Sequence, residues 1–252
     1  MRAIHPKPLR IVRALISQSV FIGVLFGFAT ASAAPALPAR GSAAPCVTPS
    51  EACTEWVGIK GNSQRVLIYR SYPLDTRNDR IVTALVMVHG GLRIAQDQFT
   101  NVLAAAFLSG KLSDAILVAP RFASNTGPEW CRDKLGDQEA NWICEDSRAD
   151  SWRNGMPAIG NAKLTSFDIA DEIVRRLADK KTFPNLKHIV IAGHSGGGQF
   201  TLRYAMANQV RDTIGVTLSY VVSNPDAFVY LDELRPTSSA YPPSAAGPRF
   251  CC

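Results

Sequence analysis

A glycine-flanked serine between an apolar strand and a helix constrains this chain more than any other sequence feature. Residues 189–200 read IVIAGHSGGGQF, which contains the pattern G-x-S-x-G. A serine at such a strand-to-helix turn adopts a strained backbone conformation, and Gly193 and Gly197 must be small because strand and helix pack closely there. The turn would raise the Ser195 hydroxyl above the carboxyl edge of a sheet, beside helix N-terminal amides that stabilise negative charge. The pattern therefore predicts Ser195 as a nucleophile.

Two other interpretations of the same glycines remain. A phosphate-binding loop would carry Lys and Ser or Thr after the glycines, whereas this chain has Gln199 and Phe200. A plain glycine-rich turn with an incidental serine is the structural alternative. The apolar strand before the turn and the helical pattern after it favour the nucleophile.

A second glycine turn follows the apolar run 81–88, at His89-Gly90-Gly91. Acyl transfer through a tetrahedral intermediate needs two preorganised donors for the oxyanion. We expect one donor to be the Gly196 amide and the other to be the amide of Gly91 or Leu92. A tight turn that merely ends a strand is the alternative.

Strand-like and helix-like segments alternate around these turns. The alternation predicts βαβ units, so the expected fold class is α/β, with a mainly parallel sheet and helices on both faces. At 46% hydrophobic and 19% charged residues, the composition suits one globular core. The predicted strands are 65–70, 81–88, 115–119, 188–193 and 216–223, and the predicted helices are 96–109, 164–180 and a third that continues from the glycines through 201–207.

An insertion at 121–163 interrupts this alternation and carries three of the four tryptophans, Trp130, Trp142 and Trp152. A loop of this length inside a compact domain is usually functional. We expect the tryptophans to line an acyl or alcohol pocket. The alternative is that they give the loop a small core of its own.

Six cysteines fit an exported chain, because disulfides persist in oxidising compartments. Of the 15 possible pairings, we favour the two local ones, Cys46–Cys53 and Cys131–Cys144. No Cys-x-x-Cys pair or zinc-type histidine spacing is present, so neither a metal nor another cofactor is expected.

Residues 1–33 have the basic start, apolar run and small-residue end of a secretory signal peptide. An uncleaved anchor is the alternative, although the apolar run is shorter than the ~20 residues of a span. Removing the segment takes away four basic and no acidic residues, so the net charge falls from +6 to +2 and a nucleic-acid partner is not expected. The expected location is secreted or periplasmic. A Pro/Ala-rich leader (34–50), one domain (51–236) and an irregular tail (237–252) would follow.

Across residues 56–235 the chain resembles the α/β-hydrolase superfamily, on the basis of Val-His-Gly-Gly at 88–91 and Gly-His-Ser-Gly-Gly-Gly at 193–198. The resemblance implies that Ser195 is the nucleophile, that Gly196 and the turn at 90–92 form the oxyanion hole, and that His89 holds that turn. It also implies that 81–88 and 188–193 are the third and fifth strands of the sheet. The exported, disulfide-bearing format resembles extracellular esterases and lipases.

The superfamily orders its triad as Ser, then Asp or Glu, then His, but no histidine follows Ser195 in this sequence. His194 adjoins the nucleophile and is expected to point away from it, as a structural residue of the turn. His188 begins a strand at the opposite end of the sheet. His89 is the remaining candidate for a substitute base, and His5 belongs to the signal segment.

The acids that follow Ser195 are Asp212, Asp226, Asp232 and Glu233. Asp226 is the candidate acid, because it follows the strand 216–223 at the carboxyl end, where active-site groups collect. A turn-forming role beside Pro225 is favoured over the acid.

The 57 residues after Ser195 are fewer than two further strands and their loops need, so we expect a C-terminally truncated hydrolase that lacks the last strands. The favoured function is a secreted serine hydrolase that cleaves small or polymeric carboxylic esters through acyl-Ser195, with activity in doubt for want of the histidine. The alternative is a non-catalytic secreted binding protein on the same scaffold. A third outcome is a chain that does not fold stably, because truncation would expose a sheet edge.

Overall fold

The computed structural model describes residues 44–144, 151–225 and 227–230, together with the backbone of 234–237 and 240–245. The predicted signal segment 1–33 and Asp226 lie outside these residues.

A six-stranded sheet forms the centre of the described domain, in the order β1-β2-β4-β3-β7-β8. Strand β2 is antiparallel to both neighbours, while β4, β3, β7 and β8 run parallel. The predicted class, a mainly parallel sheet, is thereby confirmed. The strands of this sheet are β1 (Thr54–Gly58), β2 (Arg65–Arg70), β3 (Thr83–Val88), β4 (Ala115–Pro120), β7 (His188–His194) and β8 (Thr217–Ser223), and β5 (Pro157–Ala158) and β6 (Asn161–Thr165) form a separate pair.

Three helices cover the two faces of the sheet, as predicted: α1 (Ala95–Leu108), α2 (Ser166–Ala178) and α3 (Gly196–Ala207). Helix α1 packs Phe99 and Leu103 against one face, where Leu117 of β4 is buried. Helices α2 and α3 pack against the opposite face, with Ile173 and Phe200 in its core. Parallel strands covered on both faces need continuous apolar sequences, which explains the all-buried β4 (AILVAP).

Helix α2 begins at Ser166 rather than at the predicted Leu164. Thr165 accepts a hydrogen bond from the Asp168 amide (3.0 Å), and the Asp168 carboxylate accepts one from the Thr165 amide (2.8 Å). This capping box makes Ser166 the first residue of the helix. Leu164 is instead buried in strand β6.

The tail 237–252, for which we expected no regular structure, contributes strand β10 (Ala240–Ala245) to a strand pair whose other member begins in the predicted domain. Strand β9 (Leu234–Thr237) pairs antiparallel with β10. The register shifts between Ala240 and Ser244, and Pro242 and Pro243 lie in that interval. The two prolines, which have no N–H to donate to a strand ladder, therefore lie where the pairing of the two strands is irregular.

Both favoured disulfides are present, Cys46–Cys53 and Cys131–Cys144. Cys53 is buried beneath helix α1, whereas Cys131–Cys144 closes a loop within the insertion 121–163. A short 3₁₀ turn (Glu129–Cys131) precedes that loop, and another (Trp152–Asn154) follows it. Across the described residues, no helix has the length and apolar character that crossing a membrane requires.

Helix α3 approaches the sheet so closely that its first turn admits only glycine at some positions. A Cβ on Gly197 would overlap the carbonyl oxygens of Val88 and His89, and a Cβ on Gly193 would overlap the Gly197 carbonyl. Backbone atoms cannot rotate away as flexible side chains do. The glycines thus bring the N-terminus of α3 against the carboxyl ends of β3 and β7.

We expect Gly197→Ala to lower the free energy of unfolding by about 3 kcal/mol, because the added methyl group displaces backbone. Gly58→Ala is the matched control, since the nearest atom to its added Cβ would lie 3.5 Å away; we expect a change within about 0.5 kcal/mol. Urea denaturation of both variants measures the difference. Equal losses would contradict the close approach.

Candidate active site

Ser195 occupies the turn between β7 and α3 with φ 57° and ψ −123°. This positive φ is costly for a residue with a side chain and is maintained only where the surrounding structure imposes it. Its amide donates a hydrogen bond to the Ser223 carbonyl at the end of β8 (3.0 Å). The strained serine therefore lies at the carboxyl edge of the parallel strands, where the sequence predicts it.

The turn at 89–91 lies directly beside this serine. A Cβ on Gly90 would lie 3.7 Å from the Ser195 Cβ, and the Gly91 amide nitrogen lies 3.3 Å from the point that a Cβ on Gly196 would occupy. The structure thus brings Gly90, Gly91 and Gly196 together around Ser195. The next residue, Leu92, is 69% exposed.

A G-x-S-x-G serine at positive φ on a strand-to-helix turn, with a His-Gly-Gly turn against it, is characteristic of one fold. The chain has the α/β-hydrolase fold. The order of the six strands agrees with this fold, and so do β3 and β7, which are the third and fifth strands of the main sheet in chain order.

Comparison with known proteins gives only partial likenesses. No protein-family model and no curated protein matches the chain. Among solved structures it is similar to LpqC, a poly(3-hydroxybutyrate) depolymerase from Bordetella parapertussis (18% identity, TM-score 0.39, 63% of this chain and 48% of that one). It is also similar to poly(aspartic acid) hydrolase-1 from Sphingomonas sp. KT-1 (17% identity, TM-score 0.34, 60% of this chain and 50% of that one). A third similar structure is brefeldin A esterase, a bacterial homologue of human hormone-sensitive lipase (18% identity, TM-score 0.39, 68% of this chain and 39% of that one). The matched region spans half or less of each of those chains. The fold assignment rests on the topology and backbone geometry of this chain.

His89 holds the turn, and both of its ring nitrogens are engaged. The Phe122 amide donates a hydrogen bond to Nε2 (2.9 Å), so Nδ1 carries the proton of the neutral ring and donates to the Gly90 carbonyl (2.9 Å). Burial lowers the pKa of the imidazole to about 4. With its accepting nitrogen already occupied, His89 is not available as a substitute base for Ser195.

The other described histidines do not supply a base by direct contact either. His188 begins β7, and its Nε2 lies 2.8 Å from the Ser219 hydroxyl; the length of the strand separates it from Ser195 by roughly 20 Å. His194 is exposed, in keeping with a side chain directed away from the turn. Asp212 is also exposed and precedes β8, at the edge opposite Ser195.

The role of Asp226 stays a prediction, because that residue lies outside the described part of the chain. Asn224, two residues earlier, has φ 43°, and the preceding Ser223 contacts the serine turn. In the described ranges no three His, Cys, Asp or Glu side chains converge as metal ligands do.

The predicted tryptophan pocket needs correction for two of its three members. Trp142 and Trp152 are buried in the main core, where Trp152 stacks on Phe122 (5.5 Å between ring centroids) and Trp142 meets the same ring edge-on (5.5 Å). Apolar rings of this size stabilise most when fully removed from water, which explains why the insertion buries them. Only Trp130 remains exposed, at 61%.

Arg93 is a structural residue of the site that the sequence reasoning missed. It has φ 60°, is 4% exposed, and donates hydrogen bonds to the Gly91 carbonyl (2.9 Å) and the Trp130 carbonyl (2.8 Å). Its guanidinium pairs with the Asp133 carboxylate (2.8 Å) and lies 3.1 Å from the Cys144 sulfur. Arg93 thereby fastens the glycine turn to the disulfide-closed loop. Forty positions separate Arg93 from Asp133, and no local pattern marks the pair.

We expect His89 to make stability dependent on pH. Its folded pKa of about 4 lies below the ordinary 6.5, so the unfolded chain takes up a proton that the folded chain refuses. Stability is therefore complete above pH 6.5 and declines by about 3 kcal/mol as the pH falls towards 4, at 1.36 kcal/mol per pKa unit.

Urea denaturation across this pH range measures the effect, with His89→Asn as the reference that cannot titrate. The difference between the two proteins should shrink as the pH falls, because the Asn variant lacks this protonation. Parallel stability curves for the two proteins would contradict the burial of a neutral imidazole.

Proposed function

We propose that this protein is a secreted serine hydrolase that cleaves carboxylic esters through an acyl-Ser195 intermediate. The observation that carries the proposal is the strained Ser195 at φ 57°, with the Gly91 amide nitrogen beside Gly196. Such strain persists where it positions a reacting group. The backbone donors beside it suit an oxygen that becomes negatively charged during acyl transfer.

In the proposed first step, Ser195 Oγ attacks the ester carbonyl carbon. The carbonyl electron pair moves onto its oxygen, which the amides of Gly91 and Gly196 and the N-terminus of α3 stabilise. The carbonyl then re-forms, the bond to the alcohol oxygen breaks, and the alcohol leaves with a proton. In the second step water attacks the acyl carbon, and the acid departs as the Ser195 hydroxyl is restored.

Among the described histidines, none is placed to accept the hydroxyl proton of Ser195. His89 has both ring nitrogens engaged, and His188 lies at the far end of β7. We propose that the proton passes to solvent hydroxide and that turnover is slow. Oxyanion stabilisation and binding alone still give about 10³–10⁴-fold acceleration over water.

A second candidate function is the non-catalytic binding of ester-like or acyl ligands on the same scaffold. The engagement of both His89 nitrogens favours it, because a binding protein needs no base. The strained serine opposes it, since a binding role gains nothing from a conformation that costs about 1–3 kcal/mol. The two functions differ in whether Ser195 forms covalent adducts.

Secretion belongs to the same proposal. The two disulfides would be stable in an oxidising compartment, and residues 1–33 carry the signal pattern. We propose a small or polymeric ester as substrate, and neither a nucleic-acid partner nor a membrane span after signal cleavage.

Covalent labelling tests the nucleophile. We expect a fluorophosphonate to modify the purified protein at Ser195, forming the Oγ–P bond and releasing fluoride and the hydroxyl proton. Labelling should be lost in Ser195→Ala and retained in Ser109→Ala, which removes an exposed hydroxyl at the end of α1. Peptide mass spectrometry locates the adduct.

The pH dependence of the same labelling rate tests which group accepts the hydroxyl proton of Ser195. With solvent hydroxide as proton acceptor, the rate should rise steadily with pH, without the inflection near 6.5 that a histidine base gives. Folded but unlabelled wild-type protein would support the binding function instead.

The disulfide at Cys131–Cys144 should affect the site more than the one at Cys46–Cys53. Arg93 connects the Cys131–Cys144 disulfide to the Gly91 carbonyl, while Cys46–Cys53 packs beneath α1. Replacing either pair by alanines should cost about 2–4 kcal/mol of stability. We expect only the Cys131/Cys144 replacement to slow Ser195 labelling, by about 10–100-fold, because small displacements of donors are costly. Equal labelling rates in the two folded double variants would contradict this link.

A further inference from the structure

A second arginine, Arg153, lies across Gly91 and Gly196, two glycines that lie beside Ser195. Its Nε is 3.0 Å from the point that a Cβ on Gly196 would occupy, and its Nη2 is 3.1 Å from the corresponding point on Gly91. The guanidinium thus spans the same two residues whose amides face the proposed oxyanion. A side chain at either position would have to displace it.

The backbone that carries Arg153 is fixed by contacts on both sides. The preceding Trp152 packs edge-on against His89 (4.6 Å between ring centroids), and its carbonyl accepts a hydrogen bond from the Ser166 hydroxyl (2.6 Å). The following Asn154 accepts one from Gln199 of α3 (3.3 Å). The short turn Trp152–Asn154 is therefore bound to the core and to the helix that begins at the site.

Position distinguishes Arg153 from Arg93, the other guanidinium beside the turn. Arg93 forms an ion pair with Asp133 and directs its Nη1 to the Gly91 carbonyl, away from the amide face. Arg153 lies against Gly196, at the N-terminus of α3, where the helix dipole already favours negative charge. A guanidinium stays protonated at every working pH and offers donors in a rigid plane.

We propose that Arg153 is a catalytic residue of the Ser195 site, a charged third donor to the oxyanion beside the amides of Gly91 and Gly196. The assignment rests on the proposed function. As Ser195 Oγ bonds to the acyl carbon, the carbonyl oxygen gains an electron pair, and the guanidinium donates a hydrogen bond to it. When the carbonyl re-forms and the alcohol departs, that charge is dispersed. Arg153 keeps its protons throughout.

The test compares Arg153→Met, Arg153→Lys and Arg153→Ala in fluorophosphonate labelling with saturation kinetics. Arg153→Met should lower the maximal labelling rate about 100-fold with little change in the half-saturating concentration, the result of losing one oxyanion donor. Arg153→Lys should stay within about tenfold of wild type, because the charge remains. Arg77→Met is the matched control: its side chain is 63% exposed and pairs with Asp79, and we expect no change.

Chemical rescue distinguishes a role of the Arg153 charge from a structural role of its side chain. Millimolar methylguanidinium should raise the labelling rate of Arg153→Ala several-fold and leave the rate of the wild type unchanged. Thermal unfolding identifies variants that fail to fold. Equal labelling of wild type and Arg153→Met would overturn the assignment. Equal losses in the Met and Lys variants, without rescue, would also overturn it and leave Arg153 a positioning residue. Folded wild-type protein that is not labelled would overturn the proposed function, and this role with it.

Discussion

The close approach of helix α3 to the sheet is the constraint on which the rest of the site depends. Gly197 lies against the carbonyls of Val88 and His89, and Gly198 lies against that of Ser223. A helix this close leaves one residue to turn the chain, and that residue, Ser195, takes a positive φ as a consequence. The strain at Ser195 is therefore maintained by packing that larger residues cannot reproduce.

The turn at 89–91 is held by two buried polar side chains, of which one is neutral and the other is charged. His89 remains neutral because burial lowers its pKa, and it uses its two nitrogens to connect Phe122 with Gly90. Arg93 remains charged and is compensated by Asp133, whose carboxylate also accepts a hydrogen bond from the Ser124 amide (2.8 Å). Removing one partner of such a buried pair leaves an uncompensated charge. The insertion 121–163 thus serves as the support of the glycine turn, through Asp133 and the disulfide.

The local parts of this architecture were predictable from the sequence, and the long-range parts were not. The serine turn, the His-Gly-Gly turn and the alternation of strands and helices are patterns of neighbouring residues, and each appears where expected. The ion pair of Arg93, the placement of Arg153 against Gly196 and the burial of Trp142 depend on how the insertion folds back on the sheet. The composition of the insertion led us to predict that the tryptophans line a pocket, because composition gives the number of aromatic side chains and not the direction in which each one points. The two disulfides were favoured correctly because short separations along the chain need little more than a loop.

Acyl transfer has two requirements, and in the proposed function the described residues meet them to different extents. Stabilising an oxyanion needs donors, and in the proposed function the turn at Ser195 and the turn at 89–91 provide them through their own backbone, so this part is encoded locally. Removing the serine proton needs a base from elsewhere in the chain, and the described histidines are engaged, distant or exposed. Positive potential from Arg153 and the α3 N-terminus would also lower the energy of a serine alkoxide. In the proposed hydrolase, stabilising the anion in this way would add reactivity to Ser195 without the participation of a histidine.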